Sequence, residues 1–475
     1  MRMQTPKAIS LLIVVVALAL FASCKKEGGI DLVLPQPTDS LQKINRWVLD
    51  SMIKYYLWSD DYGTFPSLSE TTPDFYRRLL NTTDEFSWIT NGGSIGPEKS
   101  TYESFGFQYL LVSIPSYSST SLVGVVSLVA PGSPAANAGL KRGDYFSKVN
   151  SQPISDQNKA QIITALQQSS PLKVTMLTNT TGVWAEGVVK TMSSAYYEER
   201  PVFVRKVFRH NNIVTGYLFY NQFTETFDRD VLDALDSFRV KNVQELIIDL
   251  RYNPGGSVAT AAKISAMLLK NINATETFSY YAGNSKLGLN KQSFDKAVLS
   301  SGNAYRRSFD QLHSQALTLN RIFLLTGNHS ASAAEMLVNN LKPYITVVQI
   351  GEKTRGKDKA GVLIKDLRQP KQVYWQLYPM VFRIQNANQQ GNYPDGIDPL
   401  YPVAEYATLP LRNLGDVNES MLKEALFRIY GTHQVSGESF RLQADEWRMS
   451  LQSTQIRYSS IEERRSEKFQ AVISF

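Results

Sequence analysis

Between Glu199 and Gly431 short, wholly apolar runs alternate with amphipathic stretches, and this alternation constrains the fold more than any other feature of the chain. Thr215-Gly216-Tyr217-Leu218-Phe219-Tyr220, Glu245-Leu246-Ile247-Ile248-Asp249-Leu250, Arg321-Ile322-Phe323-Leu324-Leu325-Thr326 and Tyr344 to Ile350 read as strands. Phe227 to Phe238, Ala259 to Leu269 and Ser332 to Leu341 carry apolar residues at helical spacing. Strands that are apolar at successive positions, instead of at every second one, are buried on both faces. Joined by helices, they predict a covered, mostly parallel sheet, so the fold class is α/β over 196–432.

At 475 residues the chain has room for further domains. Residues 41–100 read as a small helical N-terminal region: Ile44, Trp47, Val48, Met52, Tyr55 and Tyr56 recur at helical spacing, and Pro73 to Leu80 forms a second short helix with Thr72 available as its cap. Residues 101–195 are β-rich, with Leu122 to Val129 and Tyr145 to Asn150 as strands. Between those strands Pro134 to Ala138 makes a short helix of small residues, stopped by Gly139 in the left-handed conformation. This stretch resembles a PDZ domain. The resemblance implies capture of a peptide C-terminus by strand addition, with Ser104-Phe105-Gly106-Phe107 as the carboxylate loop. Residues 433–475 form a polar extension, helical or without fixed structure. The chain is thus a multi-domain α/β protein: helical element, PDZ domain, α/β core.

The first residues are an address. Arg2 and Lys7 precede the apolar run Ile9 to Ala22, which is too short to span a membrane as a helix and fits a signal peptide over 1–23. It ends Phe21-Ala22-Ser23-Cys24, which is similar to the lipobox of bacterial lipoproteins, with Cys24 as the lipidated residue. Residues 24–40, with Gly28-Gly29 and Pro35 and Pro37, read as a tether. The expected location is the bacterial cell envelope, with a lipid anchor in the membrane. Because Cys24 is the sole cysteine, the chain forms no internal disulfide and no thiolate cluster. The four histidines lack metal-ligand spacing, so no metal or other cofactor is expected. The net charge of +7 is spread along the chain without a nucleic-acid-binding motif, so no nucleic-acid partner is expected.

Three segments of the α/β region carry chemistry. Asp249-Leu250-Arg251-Tyr252-Asn253-Pro254-Gly255-Gly256 ends a buried strand in paired glycines, which let backbone N–H groups approach a ligand closely. Gly327-Asn328-His329-Ser330-Ala331-Ser332-Ala333-Ala334-Glu335 joins a strand to a helix and presents a serine at the helix N-terminus. Helix capping alone accounts for a serine there equally well. Gly351-Glu352-Lys353-Thr354-Arg355-Gly356-Lys357-Asp358-Lys359 follows the next strand and returns the chain to the same sheet edge. A serine hydroxyl needs a base, and a lysine serves when burial and neighbouring positive charge favour its neutral form.

Asp-Leu-Arg-x-Asn-x-Gly-Gly, Ser-Ala-Ser-Ala-x-Glu and Gly-Glu-x-Thr-x-Gly-Lys, in this order after a PDZ-like stretch, resemble the C-terminal processing (tail-specific) serine peptidases. The resemblance implies Ser332 as nucleophile and Lys357, 25 positions on (357 − 332), as general base. It further implies backbone amides of Gly255 or Gly256 and of Ala333 as the oxyanion hole, and Glu335 as an orienting or structural residue. Ser330 and Lys359 are the runners-up for nucleophile and base. One departure stands out: many members continue Gly-Lys-Gly-x-x-Gln, the glutamine orienting the lysine, whereas here Gly361 holds that position. The expected function is an exported, lipid-anchored serine endopeptidase acting on polypeptides with an accessible C-terminus. The rival is a peptide-binding scaffold of the same fold without catalysis.

Overall fold

The central strand Glu245–Asp249 shows why the α/β region folds as it does: Leu246 and Ile248 point to one apolar cluster and Ile247 to another. Successive residues are buried because both sheet faces are covered. The computed structural model describes residues 37–92, 101–168, 171–300, 306–432 and 449–461. The signal segment, Cys24 and most of the tether lie outside the described residues.

The core sheet runs in the order Val202–His210, Ile213–Tyr220, Glu245–Asp249, Arg321–Thr326, Thr346–Gly351, Tyr401–Pro402. Its first pairing is antiparallel and the other pairings are parallel. Helices Asp228–Val240, Val258–Leu268 and Ala333–Leu341 cover one face, and Ser420–Tyr430 covers the other. Beside this sheet lie two antiparallel ones not anticipated from the sequence. One comprises Leu289–Ser293, Thr277–Ala282, Met380–Gln385 and Lys359–Gly361; the other comprises Trp88–Asn91, Trp375–Tyr378 and Ile364–Lys365. Their strands are two to six residues long, too short for a period to show, and in each sheet one pairing, Thr277–Ala282 with Met380–Gln385 or Trp88–Asn91 with Trp375–Tyr378, joins segments remote in sequence. A mostly parallel sheet therefore describes only one of the three sheets around the core.

The N-terminal region forms helices Ser40–Tyr55 and Thr72–Arg78, so Ser40, placed in the tether, already belongs to a helix. The cap of the second helix is Thr71, whose hydroxyl accepts from Asp74 N–H, and not Thr72, which lies inside the first turn. This region is tied to the core by the strand pair Trp88–Asn91 with Trp375–Tyr378 and by the Asn284 amide, which donates to the Lys54 and Tyr56 carbonyls.

The PDZ-like sheet runs Phe107–Ser113, Leu122–Val129, Tyr145–Val149, Leu172–Thr180, Val183–Met192, with helix Lys159–Gln167 packed on it. Arg142 fastens it to the core. Its buried guanidinium donates to Tyr252 Oη at 2.8 Å, to Glu405 Oε1 at 2.8 Å and to the Arg412 carbonyl at 2.8 Å. The polar extension differs from expectation where it is described: Met449–Ser450 and Ile456–Ser459 are strands, not helix. The second of these joins the open edge of Phe107–Ser113.

Candidate active site

Parallel register brings the three chemistry-bearing segments together. Asp249 pairs with Leu325 and Thr326 with Gly351, so the three chains leave the sheet side by side at their carboxyl ends. In open α/β sheets this edge is where ligands bind. Backbone bonds then tie the loops to one another: Ala331 N–H donates to the Asn253 carbonyl at 3.0 Å and Arg355 N–H to the Ser330 carbonyl at 2.9 Å.

Ser332 sits at the N-terminus of helix Ala333–Leu341 with φ 55° and ψ −114°. A left-handed φ in a residue with a side chain costs of order 1–3 kcal/mol and persists only where surrounding contacts impose it. The contacts here are the Ser332 N–H to Glu335 Oε2 bond at 2.8 Å and the Ser332 carbonyl, which accepts from Met336 N–H at 2.7 Å. Ser332 is 8% exposed.

Glu335 is the hub of the site. It is fully buried and accepts four hydrogen bonds: at Oε1 from Thr354 Oγ1 and Gly356 N–H, both 2.6 Å, and at Oε2 from Ser332 N–H and Lys357 N–H, both 2.8 Å. Burial pushes its carboxyl up and the four donors pull it back, leaving it at about 6. Because one oxygen binds both N–H groups, the backbone nitrogens of Ser332 and Lys357 lie within about 6 Å of each other.

Lys357 is 3% exposed, not solvated as an isolated reading of its Lys/Arg-rich loop suggests. Its Nζ lies 5.4 Å from the centroid of the Phe86 ring, which the N-terminal region contributes. The Arg355 guanidinium lies 5.8 Å from the same ring and is paired with Glu85 at 2.7 Å. Gly361 explains the departure from the glutamine pattern: a Cβ there would sit 2.4 Å from Tyr378 Cε1 and 2.6 Å from Met380 Cε. The Tyr378 ring, stacked on Trp88, fills the space a longer residue at 361 needs.

The paired glycines are both obligatory. Gly255 (φ 100°) and Gly256 (φ 129°) take conformations that side chains rarely adopt. A Cβ on Gly255 would lie 2.7 Å from Ser332 Cβ and 2.9 Å from Ala333 N, and one on Gly256 would lie 2.2 Å from the Phe223 carbonyl oxygen. The turn thus presses directly against Ser332 and Ala333. The Gly255 N–H already donates to Asn253 Oδ1 at 2.8 Å, whereas among the described residues neither Gly256 N–H nor Ala333 N–H is engaged.

The runners-up have other tasks. Ser330, fully buried, donates to the Leu250 carbonyl at 2.7 Å and accepts from Gly327 N–H, which shapes the turn. Lys359 is paired with Asp358. Ser104 to Phe107 belong to the PDZ-like domain: Ser104 ends a strand paired with Ala195, the Phe105 and Gly106 carbonyls accept from Ala135 N–H and Ala130 N–H, and Phe107 begins strand Phe107–Ser113. Asn253 and Thr354 fall inside the motifs, but nothing in their residue types marks them as site residues. Phe86 and Tyr378 carry no local signal at all.

Residues 214–399 match peptidase family S41, residues 125–179 a PDZ domain, and residues 43–88 the peptidase S41 N-terminal domain. The carboxy-terminal processing protease CtpA of Bacillus subtilis is 28% identical over 239 residues, 49% of this chain and 45% of that protein. The chloroplastic carboxyl-terminal-processing peptidase 3 of Arabidopsis thaliana is 24% identical over 243 residues, covering 50% and 43%. The chain therefore spans less than half the length of these curated relatives. A crystal structure from Bacteroides fragilis, assigned to the S41 proteases, superposes with a TM-score of 0.67 at 25% identity, over 84% of this chain and 99% of that one.

Proposed function

The chain belongs to peptidase family S41, and on that premise we propose that it is a serine endopeptidase with Ser332 as nucleophile and Lys357 as general base. The observation that carries this reading is the Glu335 carboxylate, one oxygen of which holds the backbone of both residues. A helix cap needs no such link to a loop beyond the next strand.

In the proposed reaction the neutral Lys357 amine takes the Ser332 hydroxyl proton as Oγ attacks the scissile carbonyl carbon. The resulting oxyanion is met by the N–H groups of Ala333 and Gly256, with Gly255 able to contribute only after releasing Asn253. The ammonium of Lys357 returns its proton to the leaving amine. The Lys357 amine, neutral again, takes a proton from a water that attacks the acyl carbon, and returns it to Ser332 Oγ as the ester bond breaks. Glu335, Thr354 and Phe86 act on the pair by positioning it. The PDZ domain receives the polypeptide, and the loop Ser104 to Phe107 is the proposed receptor for its terminal carboxylate. Attachment through Cys24 to a membrane of the bacterial envelope completes the proposal.

The test is turnover of an unstructured protein substrate, together with labelling by a fluorophosphonate probe. Wild type is expected to cleave and label, whereas Ser332→Ala does neither and Lys357→Ala is reduced by at least about 10³-fold. Full activity in Ser332→Ala would refute the assignment. A wild-type protein that binds peptide but neither cleaves nor labels would instead establish the scaffold.

A further inference from the structure

In a PDZ domain the strand after the carboxylate loop and the nearby helix form the groove into which a peptide adds as an antiparallel strand. Here that strand is Phe107–Ser113 and the helix is Lys159–Gln167. The groove is filled. Ile456–Ser459 of the same chain pairs antiparallel with it, Ile456 opposite Val112, Tyr458 opposite Leu111 and Ser459 opposite Leu110. The pairing is extended by Ser460, whose hydroxyl accepts from Tyr109 N–H and donates to Gln108 Oε1, both at 2.8 Å.

The side chains complete the likeness to a bound peptide. A bulge between Ile456 and Tyr458 turns these residues to opposite faces. Ile456 packs against the cluster of Leu110, Val112 and Leu451. Tyr458 packs against the cluster that contains Tyr109, Leu111, Ile162 and Leu166, its ring 5.7 Å from that of Tyr109. Arg457 stays half exposed and reaches Asp156, just before the groove helix, at 3.9 Å. The strand runs toward Phe107, the direction in which an incoming C-terminus approaches the loop.

We propose that the PDZ groove is held by the chain's own segment Gln455–Ser460 as a resident ligand, which a substrate segment bearing an aromatic residue at the place of Tyr458 must displace. The proposal rests on the peptide-recognition reading above and adds to it a ligand preference and a competitor. A groove open only part of the time binds outside peptides with an affinity reduced by its open fraction.

The experiment measures binding of a fluorescein-labelled peptide of sequence 453–461, Ser-Thr-Gln-Ile-Arg-Tyr-Ser-Ser-Ile, by anisotropy on the full chain carrying Ser332→Ala, which prevents turnover. Adding Tyr458→Glu places a charge on the apolar groove wall and releases the resident strand without altering the groove. Binding is expected to tighten by at least about tenfold. Arg457→Glu, a milder change at a half-exposed residue, is expected to tighten it by about two- to fivefold. A peptide with Glu in place of the Tyr is expected to bind none of these proteins. Equal binding by all three proteins would overturn resident occupancy while leaving peptide recognition standing. No binding to any of them would overturn both. Equal binding of the Glu-bearing peptide would overturn the aromatic preference.

Discussion

Replacing Glu335 by Gln separates the charge of the hub from its shape. Glutamine offers one acceptor oxygen in place of two. If the oxygen stays at the Oε2 position, Ser332 N–H and Lys357 N–H keep their acceptor, and the new NH2 group faces Thr354 and Gly356. Gly356 N–H is then orphaned in a buried place, at a cost of about 1–3 kcal/mol. The opposite orientation orphans two N–H groups and costs about twice that. Against this stands relief from burying a charge. The Glu335 carboxyl is raised from 4.5 to about 6, so keeping it ionised at neutral pH costs about 2 kcal/mol relative to the unfolded chain. The two effects nearly cancel at pH 7, and the variant is expected to fold with a stability within about 1 kcal/mol of wild type.

The pH dependence separates the two proteins. With a raised folded-state value, the native state binds more protons than the unfolded state between about pH 4.5 and 6. The contribution of Glu335 to stability is therefore full below about 4.5 and is lost as pH rises through about 6. Urea denaturation at pH 4.5 and pH 7 is expected to show wild type losing about 2 kcal/mol more than Glu335→Gln over that interval. Activity follows the opposite sense: protonated Glu335 carries its own O–H and cannot accept from all four donors, so wild-type turnover falls on the acid side near pH 6. The variant lacks this limb and turns over more slowly at pH 7.5. Stability curves for the two proteins that run parallel between pH 4.5 and 7 would show that burial does not raise the Glu335 carboxyl.

Two further outcomes test the packing around the site. Phe86→Leu keeps an apolar group beside Lys357 but removes the ring face that meets the ammonium once Lys357 has taken the Ser332 proton, and loss of that cation–π contact, worth about 0.5–2 kcal/mol, is expected to lower kcat by about 2- to 30-fold with little change in KM, while Phe86→Trp restores it; an unchanged kcat and pH profile would remove Phe86 from the positioning set. Arg251 is fully buried between Asp249 and Glu419, where burial opposes ionisation of Glu419 but the guanidinium outweighs it and holds that carboxyl down at about 2. Arg251→Met leaves both carboxylates without their partner and is expected to cost about 3–5 kcal/mol in urea denaturation, with part recovered by Glu419→Leu in the same chain; a loss under about 1 kcal/mol would contradict the network.

Local pattern made the α/β class, the helix Ala333–Leu341 and the three glycine- and serine-bearing loops legible, because doubly buried strands and amphipathic helices impose periods visible within a dozen residues. Parallel strand-helix alternation also implied that the three loops leave the same sheet edge. By itself, then, the sequence determined the fold class and which loops share that edge. Tertiary structure decided what surrounds Lys357: the Phe86 ring, from the N-terminal region, lies 5.4 Å from its amine, and the Tyr378 ring fills the space that a longer side chain at Gly361 would need. It also decided that Ile456–Ser459 is a strand, since a four-residue stretch is too short for its alternation to mark one and becomes a strand by adding to an edge formed more than 300 positions earlier. The physical reason is range. Periodicity records how a segment meets a surface, and contacts between distant segments depend on which surfaces remain open once every element has packed.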